Sequence, residues 1–307
     1  MSFKAEDMKL ISTITDLTDI PSGAINIRVD GQAVIRNSSP NISVGPNDDG
    51  TGLKVEIKAG TRDEAVHVPV IVTKAGFKDK VYNTFIVNED ADVTIIAGCG
   101  IHNDSHADSG HDGIHTIIVK KGSHMKYVEK HYGEGSGRGK KILNPTTDIT
   151  VEDGASAEME LVQIAGVDDT LRSTIARIHE NGSLKITERL MTHDDQRAES
   201  LIDVYLKGTG GNAQILSRAV ARDKSSQVFK AALIGQADAL GHLECDAIIM
   251  DQAKIQSVPQ LVAEDAQAVL THEAAIGKIA GEQLVKLMSL GLSEEEAVNT
   301  IIEGFLK

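Results

Sequence analysis

From Val93 onwards, short stretches of alternating apolar and polar residues recur, and small polar turns separate them. Turns at Gly122, Gly154, Gly182 and Gly210 lie 32, 28 and 28 residues apart. A period of two is typical of strands that bury one face. Self-similarity at a few tens of residues is typical of a solenoid, whose coils bury their inner faces by stacking. A β-sandwich would also give short strands and glycine turns, so the pattern alone leaves both folds open.

The composition favours the solenoid. Aromatic residues make up only 3% of the 307 residues, Trp is absent, and there are 28 glycines. A core without large rings has to be filled by aliphatic side chains and Ala, which suits a narrow, regularly layered interior. We therefore predict a mainly β protein built as a parallel β-solenoid.

Three segments are expected along the chain. Residues 1–20 carry apolar side chains at helical spacing between Glu6 and Leu17 and should contain a helix. Residues 21–270 should form the β core, and residues 271–307 a helical segment. In that last segment, Ser293 and Glu296 predict a capping box. The final apolar helix either plugs the β domain or docks a partner, and its pattern does not separate these alternatives.

The charge and the two cysteines limit the class of protein. The formal net charge is −14 and the basic residues are dispersed, which disfavours nucleic acid as a partner. No apolar run is as long as a membrane span, and the N-terminal residues lack the apolar core of a signal peptide. Cys99 and Cys245 alone make no disulfide framework. We expect a cytoplasmic protein that does not associate with membranes.

Three enzyme motifs can be tested and rejected. The glycine-rich stretch 133–141 lacks the spacing of a phosphate-binding loop, since Glu134 and Lys141 stand at required Gly and Ser/Thr positions. His272 and Glu273 begin a zinc-protease pattern, but Ile276 stands where the second His is needed. No GxSxG motif occurs. We expect a protein that is not an enzyme and relies on a partner for any ATP hydrolysis.

The first candidate site is the segment 98–115, which holds one Cys, four His and three Asp within 18 residues. Imidazole, thiolate and carboxylate groups at this density can bind a transition metal. The candidate ligands of this auxiliary site are His102, His106, His111 and His115. A polar surface loop is the alternative, because the spacing fits no standard zinc pattern.

The second candidate site is dispersed. Cys245 lies in a predicted strand, and His272 and Glu273 follow at a distance close to one coil of the predicted solenoid. Adjacent coils would therefore bring the three side chains together. Thiolate, imidazole and carboxylate form a competent iron or zinc site. On residue chemistry alone, a buried structural thiol is the commoner role for such a cysteine.

Four C-terminal stretches resemble the signature of the SufB/SufD family of iron–sulfur cluster assembly proteins. They are Glu244–Met250, Ser257–Leu261, His272–Leu284 and Gly291–Ala297. Weaker, ordered similarity continues upstream through Ile86–Cys99, His115 and Met125–Tyr127, so the resemblance covers about residues 80–307.

The resemblance implies a right-handed parallel β-helix closed by C-terminal helices. It implies a scaffold for a nascent iron–sulfur cluster, [4Fe-4S] or [2Fe-2S], with a SufC-type ABC ATPase docked on the C-terminal helices. By the same resemblance, Cys245, His272 and Glu273 bind the cluster and Cys99 accepts sulfur. The residues expected to dock the ATPase are Ile276, Leu284, Leu287, Ile301, Ile302 and Phe305.

The sequence departs from the family pattern at two places. Leu290 precedes Gly291 where the family has Arg, and the stretch 129–133 lacks the family's Trp. The chain resembles short SufB-like scaffolds of archaea and some anaerobes, so we expect a homodimer or a pair with a SufD-type subunit, a sulfur donor and apoprotein acceptors. The alternatives are a SufD-like structural subunit without its own cluster, and a carbohydrate-active β-helix, which the scarcity of aromatic residues disfavours.

Overall fold

The computed structural model describes residues 5–307, with side chains from Asp7 onwards. Strands account for 57% of the described residues and form a β-solenoid of about eight turns, with three helices in the same range. The predicted mainly β solenoid is therefore confirmed. No helix in this range has the length and apolar character needed to cross a bilayer.

Two ten-stranded sheets form the solenoid, and from residue 53 onwards successive strands alternate between them, except for two short strands within residues 141–151 that share one sheet. Sheet A contains, in spatial order, β2 (Gln32–Asn37), β1 (Ala24–Val29), β5 (Arg62–Val72), β7 (Asp92–His102), β9 (His124–Glu134), β12 (Ser156–Ala165), β14 (Ser183–Thr192), β16 (Asn212–Ala221), β18 (Leu240–Ile249) and β20 (Val269–Gly277). All pairs from β1–β5 to β18–β20 are parallel, while β1 and β2 are antiparallel.

Sheet B faces sheet A across the core. It contains, in spatial order, β19 (Lys254–Ala263), β17 (Ser226–Gly235), β15 (Arg197–Leu206), β13 (Asp169–Ile178), β10 (Lys141–Leu143) with β11 (Thr146–Val151), β8 (Ser109–Val119), β6 (Lys78–Val87), β4 (Leu53–Ile57) and β3 (Ile42–Gly45). Its pairs are parallel except β3–β4.

The core consists of inward side chains that stack from coil to coil. One such ladder in sheet A runs through Ile95, Tyr127, Met159, Ile186, Ile215 and Leu243, whose Cα atoms pair in register. All six are buried. Because side chains alternate between the two faces of a strand, this register fixes which neighbouring residues also point inward.

The predicted N-terminal helix is present as α1 (Ala5–Thr15), and residues 1–4 of the predicted segment lie outside the described range. Leu10, Ile11 and Ile14 are buried in an apolar cluster with strands β1 and β5. Gly98 of β7 allows the close approach of α1, because a β-carbon there would lie 2.7 Å from the carbonyl oxygen of Ile14.

The C-terminal helical segment begins later than predicted. Residues 271–277, expected to begin it, form most of β20, and the helices are α2 (Gly281–Ser289) and α3 (Glu294–Phe305). The β-branched and small residues here pair with β18, so sheet pairing overrides the helical spacing seen in the sequence. The predicted capping box is present, with the Ser293 and Glu296 side chains each bonded to the other's backbone N–H.

The C-terminal helices do not close the solenoid. Arg218 donates a hydrogen bond to the Phe305 carbonyl at 3.2 Å, and Arg189 donates one to the Lys307 carbonyl at 3.0 Å. These arginines belong to β16 and β14, so the end of α3 lies against sheet A, where cationic groups stabilise a helix C-terminus. On the last strand, the inward positions His272, Ala274 and Ile276 are exposed.

Substitution of Gly98 by Ala should displace α1 and lower the free energy of unfolding by about 1–3 kcal/mol, because the added carbon overlaps backbone of the helix. Urea unfolding of G98A measures the loss. The matched control is G277A, whose β-carbon has no heavy atom within 4 Å. A stability of G98A equal to that of G277A would contradict this packing.

Candidate functional site at the open end of the solenoid

Cys245 lies on an inward position of β18, one coil before the open end, and is 5% exposed. Its Cα pairs with Ser217 on one side and with Ala274 on the other. The coil that leads from Cys245 to its register partner Ala274 is therefore two residues longer than the spacing between Cys245 and His272. As a result, His272 pairs with Leu243 instead and occupies the next inward position on β20.

Cys245 and His272 thus share the inner face of adjacent strands, as the sequence predicts. Glu273 does not share that face within one chain, because it pairs in register with Glu244 and both have the outward phase. Glu273 nevertheless lies on β20, the edge strand of sheet A, whose other side has no pairing partner in the described chain. Of the predicted trio, Cys245 and His272 therefore lie on the inner face, and Glu273 lies on the outer face of the edge strand.

A small pocket adjoins Cys245. Its lining includes Glu188, Ser217, Ser257 and Ile276. Burial raises the pKa of Cys245 to about 11, and the Ser257 hydroxyl only partly opposes this. In the metal-free protein the thiol is therefore protonated at neutral pH, and a cation has to displace its proton in order to bind as thiolate.

A column of buried polar groups runs inside the solenoid behind Cys245. Arg172 donates a hydrogen bond to Glu129 Oε1 at 2.7 Å, and its Nε lies 3.5 Å from Glu188 Oε1. Ser200 donates to Glu188 Oε1 at 2.8 Å, and Tyr127 donates to Glu129 Oε2 at 2.8 Å. All five side chains are buried, so the two carboxylates depend on Arg172 for a counter-charge.

The two carboxylates respond differently to burial. Burial alone would raise the pKa of Glu129, but Arg172 and the nearby imidazole of His131 outweigh it and hold that pKa well below its usual range. For Glu188, burial dominates and raises the pKa despite Arg172. Glu129 is therefore the ionised partner of the guanidinium, and Glu188 is the group that takes up a proton more readily.

Cys99 lies near the other end of this column. It is an inward residue of β7, it is 7% exposed, and burial raises its pKa well above the usual value. Its Cα pairs with His131 of β9. Five strand spacings of sheet A separate the coil of Cys99 from that of Cys245, or about 24 Å at the usual spacing of about 4.8 Å.

The structure divides the predicted four-histidine site into two pairs. His102 lies at the end of β7, with Nε2 2.8 Å from Asp104 Oδ2, and His106 is exposed in the following loop. His111 and His115 are inward residues of β8 and are 2% and 5% exposed. The four imidazoles therefore do not surround one point, because His102 and His106 lie at or in the loop whereas His111 and His115 point into the core.

The buried polar column was not predicted from the sequence, although strand phase could have revealed it. In β9, Met125 and Tyr127 are inward, so Glu129 and His131 must be inward as well. The same rule places Glu188 inside β14, because Ile186 is inward. The signal is a charged or polar residue in phase with a buried apolar one.

The predicted partner-docking residues have different environments. Ile302 is only 4% exposed, and Ile276 is 44% exposed but lies on strand β20, so neither offers an open helix surface. Leu284, Leu287, Ile301 and Phe305 are half-buried. The large apolar side chains that are exposed on the helical segment are instead Val285, Met288 and Leu290.

The fold and the open end together define a β-solenoid protein that presents a thiol and an imidazole from the last turns of its core. Residues 73–305 match the family described as "SUF system FeS cluster assembly, SufBD core domain". The chain therefore belongs to the SufBD family of iron–sulfur cluster assembly proteins.

Individual relatives agree with this assignment. An iron–sulfur cluster assembly SufBD family protein of Methanothermobacter thermautotrophicus strain Delta H is 30% identical over 231 residues, covering 73% of this chain and 54% of that protein. One from Methanocaldococcus jannaschii is 26% identical over 321 residues, covering 100% and 99%. SufB of Bacillus subtilis strain 168 is 26% identical over 228 residues, covering 72% and 48%. The chain thus spans about half the length of the first and third of these relatives.

Removal of the Arg172 charge should destabilise the fold by about 3–5 kcal/mol, because R172M leaves two buried carboxylates without a counter-charge. The loss, measured by urea unfolding, should shrink as the pH falls and the carboxylates become protonated. R177M is the matched control, since Arg177 pairs with Asp148 at the surface and should contribute less than about 1 kcal/mol. Equal losses in the two variants would rule out this role of Arg172.

Alkylation of Cys245 should follow its raised pKa. In a C99S chain, the rate constant with iodoacetamide should keep rising with pH up to about 11, and at pH 8 it should be on the order of 100-fold below that of the urea-unfolded chain. Mass spectrometry of quenched samples measures both rates. A midpoint at or below 9 would mean that the thiolate is stabilised in the metal-free fold.

Proposed function

We propose that this protein is the scaffold of a SUF-type assembly complex and builds a nascent iron–sulfur cluster at the open end of its solenoid. The observation that carries the proposal is the register of β18 and β20, which puts Cys245 and His272 on one inner face. Thiolate and imidazole are established ligands of iron and iron–sulfur clusters. The cluster is cargo, of either [2Fe-2S] or [4Fe-4S] type, that passes on to apoproteins.

The position of the site favours a cluster that is transferred. The ligands lie in the last turns of the core, where His272 is exposed and the outer edges of β19 and β20 have no pairing partner in the described chain. A second copy, or a SufD-type subunit, could pair with these edges and enclose the cluster. Glu273, on the edge strand, would then reach the cluster from the seam between the subunits.

Sulfur is proposed to enter at Cys99 from a sulfur donor protein. The buried column of Glu129, Arg172, Glu188 and Ser217 lies between the two thiols and offers polar partners along the core. A guanidinium can hydrogen-bond the anionic terminal sulfur of a persulfide that is held covalently on Cys99. This supports a role for the interior beyond stability.

The chain itself is proposed to have no enzymatic activity, and a SufC-type ABC ATPase would supply ATP hydrolysis. The exposed apolar residues Val285, Met288 and Leu290 on α2 and the turn after it are the best placed to contact it. The end of α3 is bonded to β14 and β16, so movement of the helices could reach the solenoid. We place this complex in the cytoplasm.

Anaerobic reconstitution with ferrous iron and sulfide tests the cluster site. Wild type should acquire a cluster with visible charge-transfer absorption and transfer it to an apo-ferredoxin. C245S should lose most of the bound iron and sulfide, since the thiolate ligand is gone, and H272A should bind a cluster more weakly. Q214A, which alters an outward residue of the adjacent strand β16, is the control and should behave as wild type.

The role of Glu273 is tested with its neighbour. E273Q should release the cluster faster than wild type, whereas E244Q should not, because Glu244 lies on an interior strand and Glu273 on the edge strand. Equal effects of E273Q and E244Q would mean that surface charge alone is being measured. A C245S protein that assembles and transfers clusters like wild type would favour a SufD-like structural subunit.

A further inference from the structure

Two buried polar atoms at the pocket beside Cys245 have no hydrogen-bond partner in the described chain. They are Gln227 Oε1 and Ser257 Oγ. Both residues line that pocket. Gln227 is only 3% exposed, and a buried acceptor without a donor is costly unless a ligand satisfies it. The pocket therefore has two polar positions that the protein itself leaves unused.

The coil repeat brings these two side chains from sheet B towards the thiol on sheet A. Gln227 is an inward residue of β17, and Ser257 of β19 pairs in register with the inward residue Phe229. Parallel register makes Ser257 inward as well. From sheet A, Cys245 and Ser217 line the same pocket. Inward side chains of both sheets thus meet around one small space in the last coils of the core.

The orientation of the Gln227 amide is fixed by its own hydrogen bonds. Its nitrogen donates to the Val220 carbonyl at 2.8 Å and to the Thr192 hydroxyl at 2.9 Å. A carbonyl oxygen can only accept, so the amide nitrogen and the amide oxygen of Gln227 cannot exchange places. Gln227 Oε1 is therefore a fixed acceptor that requires a donor.

Ser257 complements this acceptor. Its hydroxyl can turn its hydrogen towards an acceptor, and its oxygen has lone pairs of its own. A ligand that has at least one hydrogen to donate and one lone pair to accept with can bond Gln227 and Ser257 at the same time. Such a ligand would satisfy both of the unused positions.

The charges around the pocket disfavour an ionic ligand. None of the described residues that line it carries a positive charge, and Glu188 is among them, so an anion would find no counter-charge there. A metal ion is disfavoured too, because the described His, Cys, Asp and Glu side chains bring no three ligand atoms within 4.8 Å of one another at this pocket. The ligand that fits is small and neutral.

Hydrogen sulfide suits the lining better than water does. Much of the lining is apolar, with side chains such as Leu190, Phe229 and Ile255. A buried water typically makes about three hydrogen bonds, whereas only two polar atoms without a partner are available at this pocket. An S–H group is a weak donor and a thiol behaves as a small apolar group. Hydrogen sulfide therefore loses less than water by making two hydrogen bonds.

We propose that this pocket binds one molecule of hydrogen sulfide, which donates to Gln227 Oε1 and accepts from the Ser257 hydroxyl. The ligand would lie beside the Cys245 thiol, where the cluster is proposed to form, so the choice of sulfide rests on the proposed function. Binding breaks no covalent bond and transfers no electron. Gln227 and Ser257 would hold the inorganic sulfur of the cluster next to its cysteine ligand.

Crystallography of the metal-free protein tests the pocket without any cluster. Crystals soaked anaerobically in sodium sulfide at neutral pH, and measured at a long wavelength, should show an anomalous sulfur peak between Gln227 and Ser257. Water gives no such peak. The peak should weaken in S257A, which should fold normally because the Ser257 oxygen has no partner to lose. S173A is the matched control, since Ser173 faces outward on β13, and it should keep the full peak.

Three crystallographic results would overturn the proposal. They are density in the pocket without an anomalous signal, sulfur bonded covalently to Cys245, and a peak of unchanged strength in S257A.

Cluster reconstitution gives a second readout. S257A and Q227L should raise the sulfide concentration for half-maximal cluster formation about 2- to 10-fold, which corresponds to one hydrogen bond, and should leave the ferrous iron dependence unchanged. Q256L changes the outward neighbour of Ser257 on β19 and should behave as wild type. An equal change in the iron and sulfide dependences would mean a structural role only and would contradict the proposal. If Q227L fails to fold, S257A decides.

The pocket and the cluster site can fail separately. If the wild type assembles no cluster while its crystals hold sulfide, the proposed assembly function is wrong and the pocket is supported. If clusters form but the pocket holds no sulfur and the sulfide dependence of S257A is unchanged, the pocket is wrong and the assembly function is unaffected.

Discussion

Parallel pairing of each coil with its two neighbours is the constraint on which the rest of this structure depends. Once the register of one strand is set, every inward position stacks on the equivalent position of the next coil. The interior is therefore a set of ladders, and a substitution in one coil is felt mainly by the coils above and below. Functional side chains of the interior therefore occupy positions in these same ladders, because every inward position of a strand belongs to one of them.

Two neighbouring ladders of sheet A illustrate this. One is apolar from Ile95 to Leu243 and ends at His272. The next inward ladder carries Glu129, Glu188, Ser217 and Cys245 in the same direction. The two ladders deliver an imidazole and a thiol to the open end by simple continuation of the coil repeat. The buried charges behind them are tolerated because Arg172 bridges the coils.

Much of the fold could be predicted from the sequence, because alternation and turn spacing report directly on strand phase. The capping box of α3 was also predicted correctly, because both of its hydrogen bonds join residues that are close in the sequence. The start of the helical segment was predicted wrongly, since helical spacing in Thr271–Gly277 loses to pairing with β18. Pairing between distant strands is decided by the whole sheet, and a local window does not contain that information.

The candidate site shows the same division. Cys245 and His272 could be brought together from coil length alone, but the two-residue difference between the coil and their spacing decides which neighbours they meet. That difference brings Ala274 opposite the thiol, whereas Glu273 faces outward because it is adjacent to the inward residue His272. The polar column needed an additional step, namely reading charged residues such as Glu129 in phase with Tyr127.

The buried charges place a physical condition on how such a core can act. An ionised carboxylate in the interior is stable only while its counter-charge stays in place. Glu129 has Arg172 at 2.7 Å, whereas Glu188 has it at 3.5 Å and relies on Ser200 as well. Any anion or cation that enters the column must therefore exchange partners with Arg172 or change the protonation of Glu188. The Arg172 guanidinium is thus the counter-charge that both buried carboxylates share.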